Sequence, residues 1–234
     1  RGLVPGPRLL TSLRQIGDRA GAGRDAPKAT PEQMRESVRK AKADGADLIK
    51  LMASTSVRDG GTRTMTAAQL TAACGEARQL GLRTLVHAYT ADAMVEASLA
   101  GCTEVEHGNF ATDEALRLLA ERGTYFDPNI GLVLQNYAAN RSRFLGIGNF
   151  TDAGFGFMET ARPAALDTFR RALKVPGLKM VLGTDASAGA HGRNVEEAIV
   201  RVRDGGQAPM AAIASMTSLA AEALGMADRL GAIA

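Results

Sequence analysis

The chain has 234 residues, 45% of them apolar and 23% charged, with a formal net charge of +3, which suits one large α/β domain or two small ones. Its basic residues are spread out rather than gathered into a stripe interleaved with aromatics, which excludes a nucleic-acid-binding surface of the usual kind. No apolar run approaches the ~20 residues of a membrane span, so a membrane protein of helical type is excluded as well.

Residues 1–28 are rich in Gly, Pro and Arg, with one short apolar segment from Arg8 to Ile16, and read as a strand end followed by a long loop. Thr30-Pro31-Glu32-Gln33 then opens a helix, with a capping hydroxyl and proline in the first turn, and Asp44-Gly45 closes it. The stretch DLIKLMAS gives a strand through Met52, and Ser54–Thr64 is a polar loop beyond its C-terminal end. Thr66 caps a helix to about Leu80, which Gly81 stops. Leu82–His87 is a strand, Thr90–Ala100 a helix and Thr103–His107 a strand. Thr112–Arg122 is the next helix, followed by a strand from Thr124 to Asp127. Asn129–Glu159 breaks the rhythm and reads as a long loop with a short helix around Val133–Ser142; loops of that length in compact domains are usually functional. A helix from about Thr160 to Leu173, a strand Lys179–Gly183 and two helices, about Val195–Arg203 and Pro209–Leu224, complete the chain.

Strand, helix and glycine stop recur in order, and a parallel sheet covered by helices is the economical way to bury such an array. An open nucleotide-binding sheet needs a glycine-rich turn after a first strand, and no predicted strand is followed by one. The polar residues stand instead at the C-terminal ends of several different strands, as in a (β/α)8 TIM-type barrel. About six strands can be counted, two short of closure. Cys74 lies in a helical pattern and Cys102 in a helix-to-strand link. They form neither a zinc knuckle nor a disulfide framework and are expected to be buried, idle thiols. Arg1 opens no signal peptide, and a cytoplasmic location is expected.

Strand alternation selects the candidate site. Leu48, Lys50 and Met52 share a face, Leu85 shares one with His87, Val105 with His107, and Val181 and Gly183 with Asp185. Glu104 and Glu106 are then expected to turn away and pair with helix arginines. Lys50, His87, His107 and Asp185 are expected to meet at one barrel mouth. Two imidazoles suit zinc or a similar divalent ion. An ammonium cannot bind a cation, but a lysine kept neutral by burial can take up carbon dioxide and become an anionic carbamate. An aspartate beside a metal-activated water can take its proton and return it to a leaving amine.

DLIKLMAS, LVHAYT, EVEHGNF and VLGTDASAGAHG, in this order, resemble the amidohydrolase superfamily, in the branch of imidazolonepropionase-like enzymes and metal-dependent Xaa-Pro dipeptidases. The resemblance implies that Lys50 is a carboxylated lysine bridging two metals, that His87 and His107 hold one of them, and that Asp185 ligates the other and acts as general base and acid. It also implies a His-x-His pair on a first strand. The only histidines here are His87, His107 and His191, so the chain is expected to be an incomplete barrel, about strands three to eight, without the family's terminal β-sandwich. Tyr89, Asn109, Asn129, His191 and Arg193 are the expected substrate contacts. The expected function is hydrolysis of a C–N bond in a small-molecule substrate, with a divalent metal such as zinc and a possible homo-oligomer. The alternatives are a catalytically incompetent barrel that binds one metal or none, and a Schiff-base lyase or aldolase using Lys50.

Overall fold

A computed structural model describes residues 6, 8–21 and 25–232; the parts of the opening loop at 1–5, 7 and 22–24 lie outside them, as do residues 233–234. Five strands form one parallel sheet in sequential order: β1 (Gln15–Ile16), β2 (Leu48–Met52), β3 (Arg83–Thr90), β4 (Glu104–Phe110) and β5 (Tyr125–Asp127). The predicted strand Lys179–Gly183 is reduced to one parallel bridge, Met180 beside Phe126, although the Phe126 and Val181 amides both donate across this junction. The sheet with its crossover helices is therefore an incomplete (β/α)8 barrel.

The helices start where the hydroxyls predicted. Thr30 and Thr66 each form a reciprocal capping box, with Gln33 and Gln69, at the heads of α1 (Pro31–Ala43) and α2 (Ala67–Gln79). The Gln69 amide also donates to the Asp18 and Ala29 carbonyls, fastening the opening loop to α2. Helices α3 (Ala91–Leu99) and α4 (Asp113–Arg122) follow. Ile49, Leu51, Val86, Val105 and Phe126 on the outer face of the sheet are at most 1% exposed and pack in the main core with Met34, Val38 and Leu116 from the helices.

The structure departs from expectation in the second half. The long loop is largely helical: α5 (Leu132–Ala139), α6 (Arg141–Phe144) and then α7, which spans Asp152–Ala172 instead of beginning near Thr160. Gly154, Gly156 and Pro163 disguise α7, since each lowers helix propensity. Phe155, Met158 and Ala161, one turn apart, override that by packing into a second apolar cluster with Val57, Tyr89 and Tyr137. Helix α8 (Val195–Arg203) matches expectation, whereas the last predicted helix breaks at Thr217 into α9 (Pro209–Met216) and α10 (Ser218–Ala223).

The expectation of idle thiols is corrected: Cys74 on α2 and Cys102 before β4 form a disulfide across 28 residues of sequence. Sequence spacing alone could not show it, because the sheet brings α2 beside the α3–β4 link. Such a bond persists in an oxidising environment. Closing a loop of this length stabilises the fold by about 3.6 kcal/mol through the unfolded chain. Reductant should accordingly lower the urea midpoint of this protein and leave that of a Cys74→Ala/Cys102→Ala variant unchanged; equal midpoints with and without reductant would show that no bond forms. No helix among the described residues is long and apolar enough to cross a membrane.

Candidate functional site

Register places the inner-face residues in rows, because parallel neighbours that pair through Cα point to the same side. One row is Met52, His87, Glu106 and Asp127; the row two residues back is Lys50, Leu85, Glu104 and Tyr125. This corrects the expected faces of β4. Val105 lies in the helix-side core, and Glu104 and Glu106 turn inward rather than toward helix arginines. His107, paired with Ala88, would face outward if alternation held. It does not hold, because the register slips between Ala88 and Thr90, and His107 and Gly108 take φ of 71° and 58°. The bulge returns the His107 ring to the inner side. A left-handed histidine stores strain of order 1–3 kcal/mol. Gly108 is required there: a Cβ would stand 2.6 Å from the Phe126 ring.

Three rings then gather. The His87 and His107 centroids are 4.5 Å apart, and Tyr89 stacks on His107 at 4.7 Å and meets His87 edge-on at 4.9 Å. All three residues are under 9% exposed. Burial and then the Lys50 charge push the His87 imidazolium down to about 4. Burial, with His87 and Lys50 next, holds His107 well below its usual value, against the Asn129 side chain. Burial raises the Tyr89 phenol. Both imidazoles are therefore neutral at neutral pH. His87 Nε2 lies 3.2 Å from the Thr55 carbonyl. That oxygen can only accept, so Nε2 carries the proton and Nδ1 keeps its lone pair.

The Lys50 ammonium is ion-paired with Glu106. Burial pushes its pKa down to about 8, although the carboxylates of Asp185, Asp127 and Glu104 favour the charged form. Burial, and then Asp127, push the Glu104 carboxyl up to about 8. Asp185 lies in the open stretch after Met180 with φ of 45°. Crowding by protein raises its pKa and the Lys50 charge opposes the shift.

Behind the site lies a buried charge network that sequence reasoning missed. Arg201 on α8, fully buried, donates to the Val181 and Pro128 carbonyls, both at 2.7 Å, and to Asp127 at 3.3 Å. Glu197, one turn earlier, accepts from the Ile130, Gly131 and Leu132 amides at 2.8–3.0 Å and so caps α5. Asp127 also accepts from the Gly183 amide at 2.6 Å; a Cβ on Gly183 would stand 1.9 Å from Asp127 Oδ2, so only glycine lets the two segments meet. The network ties the end of β5 to the segment that carries Asp185.

The expected substrate contacts divide. Tyr89 belongs to the ring cluster, and Asn129 is buried between Asp127 and His107. Asn109 is 2% exposed, with its side-chain oxygen unpartnered among the described residues. His191 and Arg193 are exposed, and the Arg193 guanidinium is engaged by Glu196 at 2.6 and 2.7 Å. Asp127 and Arg201 were not among the expected site residues, and Glu106 was assigned to the wrong face because the alternation count ran straight through a bulge.

Among the described residues no three His, Cys, Asp or Glu side chains are gathered as a metal site. The donor chemistry nonetheless fits one divalent cation if Lys50 is counted: two neutral imidazoles, one with its Nδ1 lone pair free, beside an amine whose burial favours loss of its proton.

The chain matches the amidohydrolase family over residues 2–234. It is similar to a crystallised Xaa-Pro dipeptidase with methionine bound in its active site: 30% identity, TM-score 0.81, covering 100% of this chain and 61% of that one. It is 27% identical over 198 residues to the ochratoxinase of Aspergillus niger, covering 83% of this chain and 39% of that protein. The crystal structure of that ochratoxinase shares the fold at a TM-score of 0.72, covering 84% of this chain and 44% of that one. The chain thus spans between 39% and 61% of the length of these relatives.

Proposed function

From the premise that this chain belongs to the amidohydrolase family, we propose that it carries the catalytic face of a hydrolase that cleaves a C–N bond in a small-molecule amide, cyclic amide or dipeptide. The observation that carries the reading is the pair of neutral imidazoles, centroids 4.5 Å apart, beside the buried Lys50 amine on adjacent parallel strands. The likeness to a Xaa-Pro dipeptidase and an ochratoxinase supports it.

Lys50, once neutral, adds its nitrogen to carbon dioxide and releases a proton, giving a carbamate whose oxygens are anionic ligands. His87, His107 and that carbamate would hold a divalent cation, zinc by donor type, which would supply Lewis-acid polarisation of the scissile carbonyl and a water whose pKa falls from ~15.7 to ~7. Asp185 takes the proton from the attacking water and delivers it to the leaving nitrogen, a task its raised pKa suits. The Tyr89 hydroxyl orients the carbonyl, and Asn129 holds His107 in place.

The test is equilibrium dialysis against zinc, followed by assay of N-acyl amino acids. Saturable binding near one ion per chain, lost in His87→Ala and His107→Ala, with hydrolysis that stops on chelation, is expected. Absence of both metal uptake and hydrolysis would sink the proposal.

A further inference from the structure

We propose that Thr168, backed by Arg171, is a positioning residue for His107: from α7 it holds the β4 bulge in the form that turns the His107 ring into the site. The consequence for a metal rests on the hydrolase reading above, whereas the hold on the ring does not. His107 and Gly108 are consecutive left-handed residues, with φ of 71° and 58°. A residue other than glycine stays in that region only where its surroundings over-determine it. Had β4 run on straight, His107, paired with Ala88, would point outward. The inward arrangement therefore needs contacts that a straight strand would not make.

Those contacts come from α7. The turn after the bulge is closed by the Ala111 amide, which donates to the Gly108 carbonyl at 3.0 Å. Two carbonyls of that turn are met by α7 side chains. The Thr168 hydroxyl donates to the Asn109 carbonyl at 3.0 Å, and Arg171 Nη2 donates to the Ala111 carbonyl at 2.8 Å. The same Arg171 nitrogen lies 3.0 Å from the Thr168 oxygen. A guanidinium can only donate, so that oxygen accepts from Arg171 and its one proton goes to Asn109. Arg171 is itself fixed by Asp113 at 2.7 Å and Asp167 at 2.8 Å. Removing the bulge would shift the register beyond it by one residue and carry the Asn109 carbonyl off Thr168. The bond is thus made only with the ring turned inward. Thr168 is 1% exposed, so a methyl in place of its hydroxyl would strand a buried acceptor.

The test pairs zinc dialysis with proton NMR of the histidine rings in chelator, for wild type, Thr168→Val, Thr168→Ser and a control, Ser98→Ala. Ser98 is equally buried, and its hydroxyl bonds to Thr124 at 2.9 Å, at the start of β5. Its loss should cost stability alone. Thr168→Val should weaken zinc binding roughly 10- to 100-fold, the range for losing a group that orients a metal ligand. Without metal, its His107 ring protons should leave the upfield position set by the Tyr89 stack and move toward those of exposed His191. Thr168→Ser, which keeps the hydroxyl, should match wild type in both readouts, and so should Ser98→Ala. Unchanged zinc affinity or unchanged ring resonances in Thr168→Val would overturn the proposal, as would equal losses in Thr168→Ser or Ser98→Ala. Should Thr168→Val fail to fold, Arg171→Met decides by the same readouts, and wild-type values in it count against the clamp. The two readings separate in the wild type. A chain that binds no zinc removes the metal site, and the ring resonances alone then decide the clamp. Zinc bound equally by wild type and Thr168→Val removes Thr168 and leaves the hydrolase standing.

Discussion

Replacing Arg201 with methionine should lower the free energy of unfolding by about 3–5 kcal/mol, the range for removing one partner of a buried ion pair. That is a large part of the ~5–15 kcal/mol that a domain typically has. Methionine fills much of the arginine volume, so the loss is electrostatic rather than a cavity. Asp127 would stay buried without its cation, and the Val181 and Pro128 carbonyls would lose their donor. Glu197 would keep its three backbone donors, which limits the damage on that side. Arg201→Lys should fall between, since one ammonium cannot span acceptors placed for a planar fork. The measurement is urea denaturation at pH 7 with the slope held in view. A loss under 1 kcal/mol with an unchanged slope would show that the network contributes little to stability.

Lys50→Ala should remove zinc binding and reduce hydrolysis by at least roughly 100-fold, since even the outer partners of metal ligands cost 10- to 100-fold when lost. The substitution also frees Glu106 from its ion pair and opens a cavity lined by Glu104 and Glu106. Added propionate should restore part of the activity of Lys50→Ala, because a free carboxylate in that cavity presents the two oxygens that the carbamate would. Restoration is the discriminating result. A lysine acting through a Schiff base supplies a nitrogen nucleophile, which no carboxylic acid replaces, and borohydride would trap a carbonyl substrate on the wild-type chain. Zinc binding left intact in Lys50→Ala would remove Lys50 from the ligand set.

How far the sequence could be read depends on which interactions are local. The capping boxes of Thr30 and Thr66, the glycine stops and the strand apolar runs are decided within a few residues, and the structure has them where they were expected. The ordered motifs around Lys50, His87, His107 and Asp185 marked the family for the same reason. Helix α7 was misplaced because its start depends on Phe155 and Met158 finding Tyr89 and Tyr137, partners that lie 18 to 69 positions away.

By itself, then, the sequence determined the βα order, the parallel sheet and the strand ends that carry polar side chains, because helix caps and two-residue alternation are written in neighbouring residues. Only the tertiary structure decided which way those side chains face. The bulge at His107 and Gly108 reverses the expected sides of β4 and hands Glu106 to Lys50. The Cys74–Cys102 bond and the Arg201 network join residues 28 and 74 positions apart. Contacts at such separations are set by how the layers pack, and no local pattern in the chain encodes them.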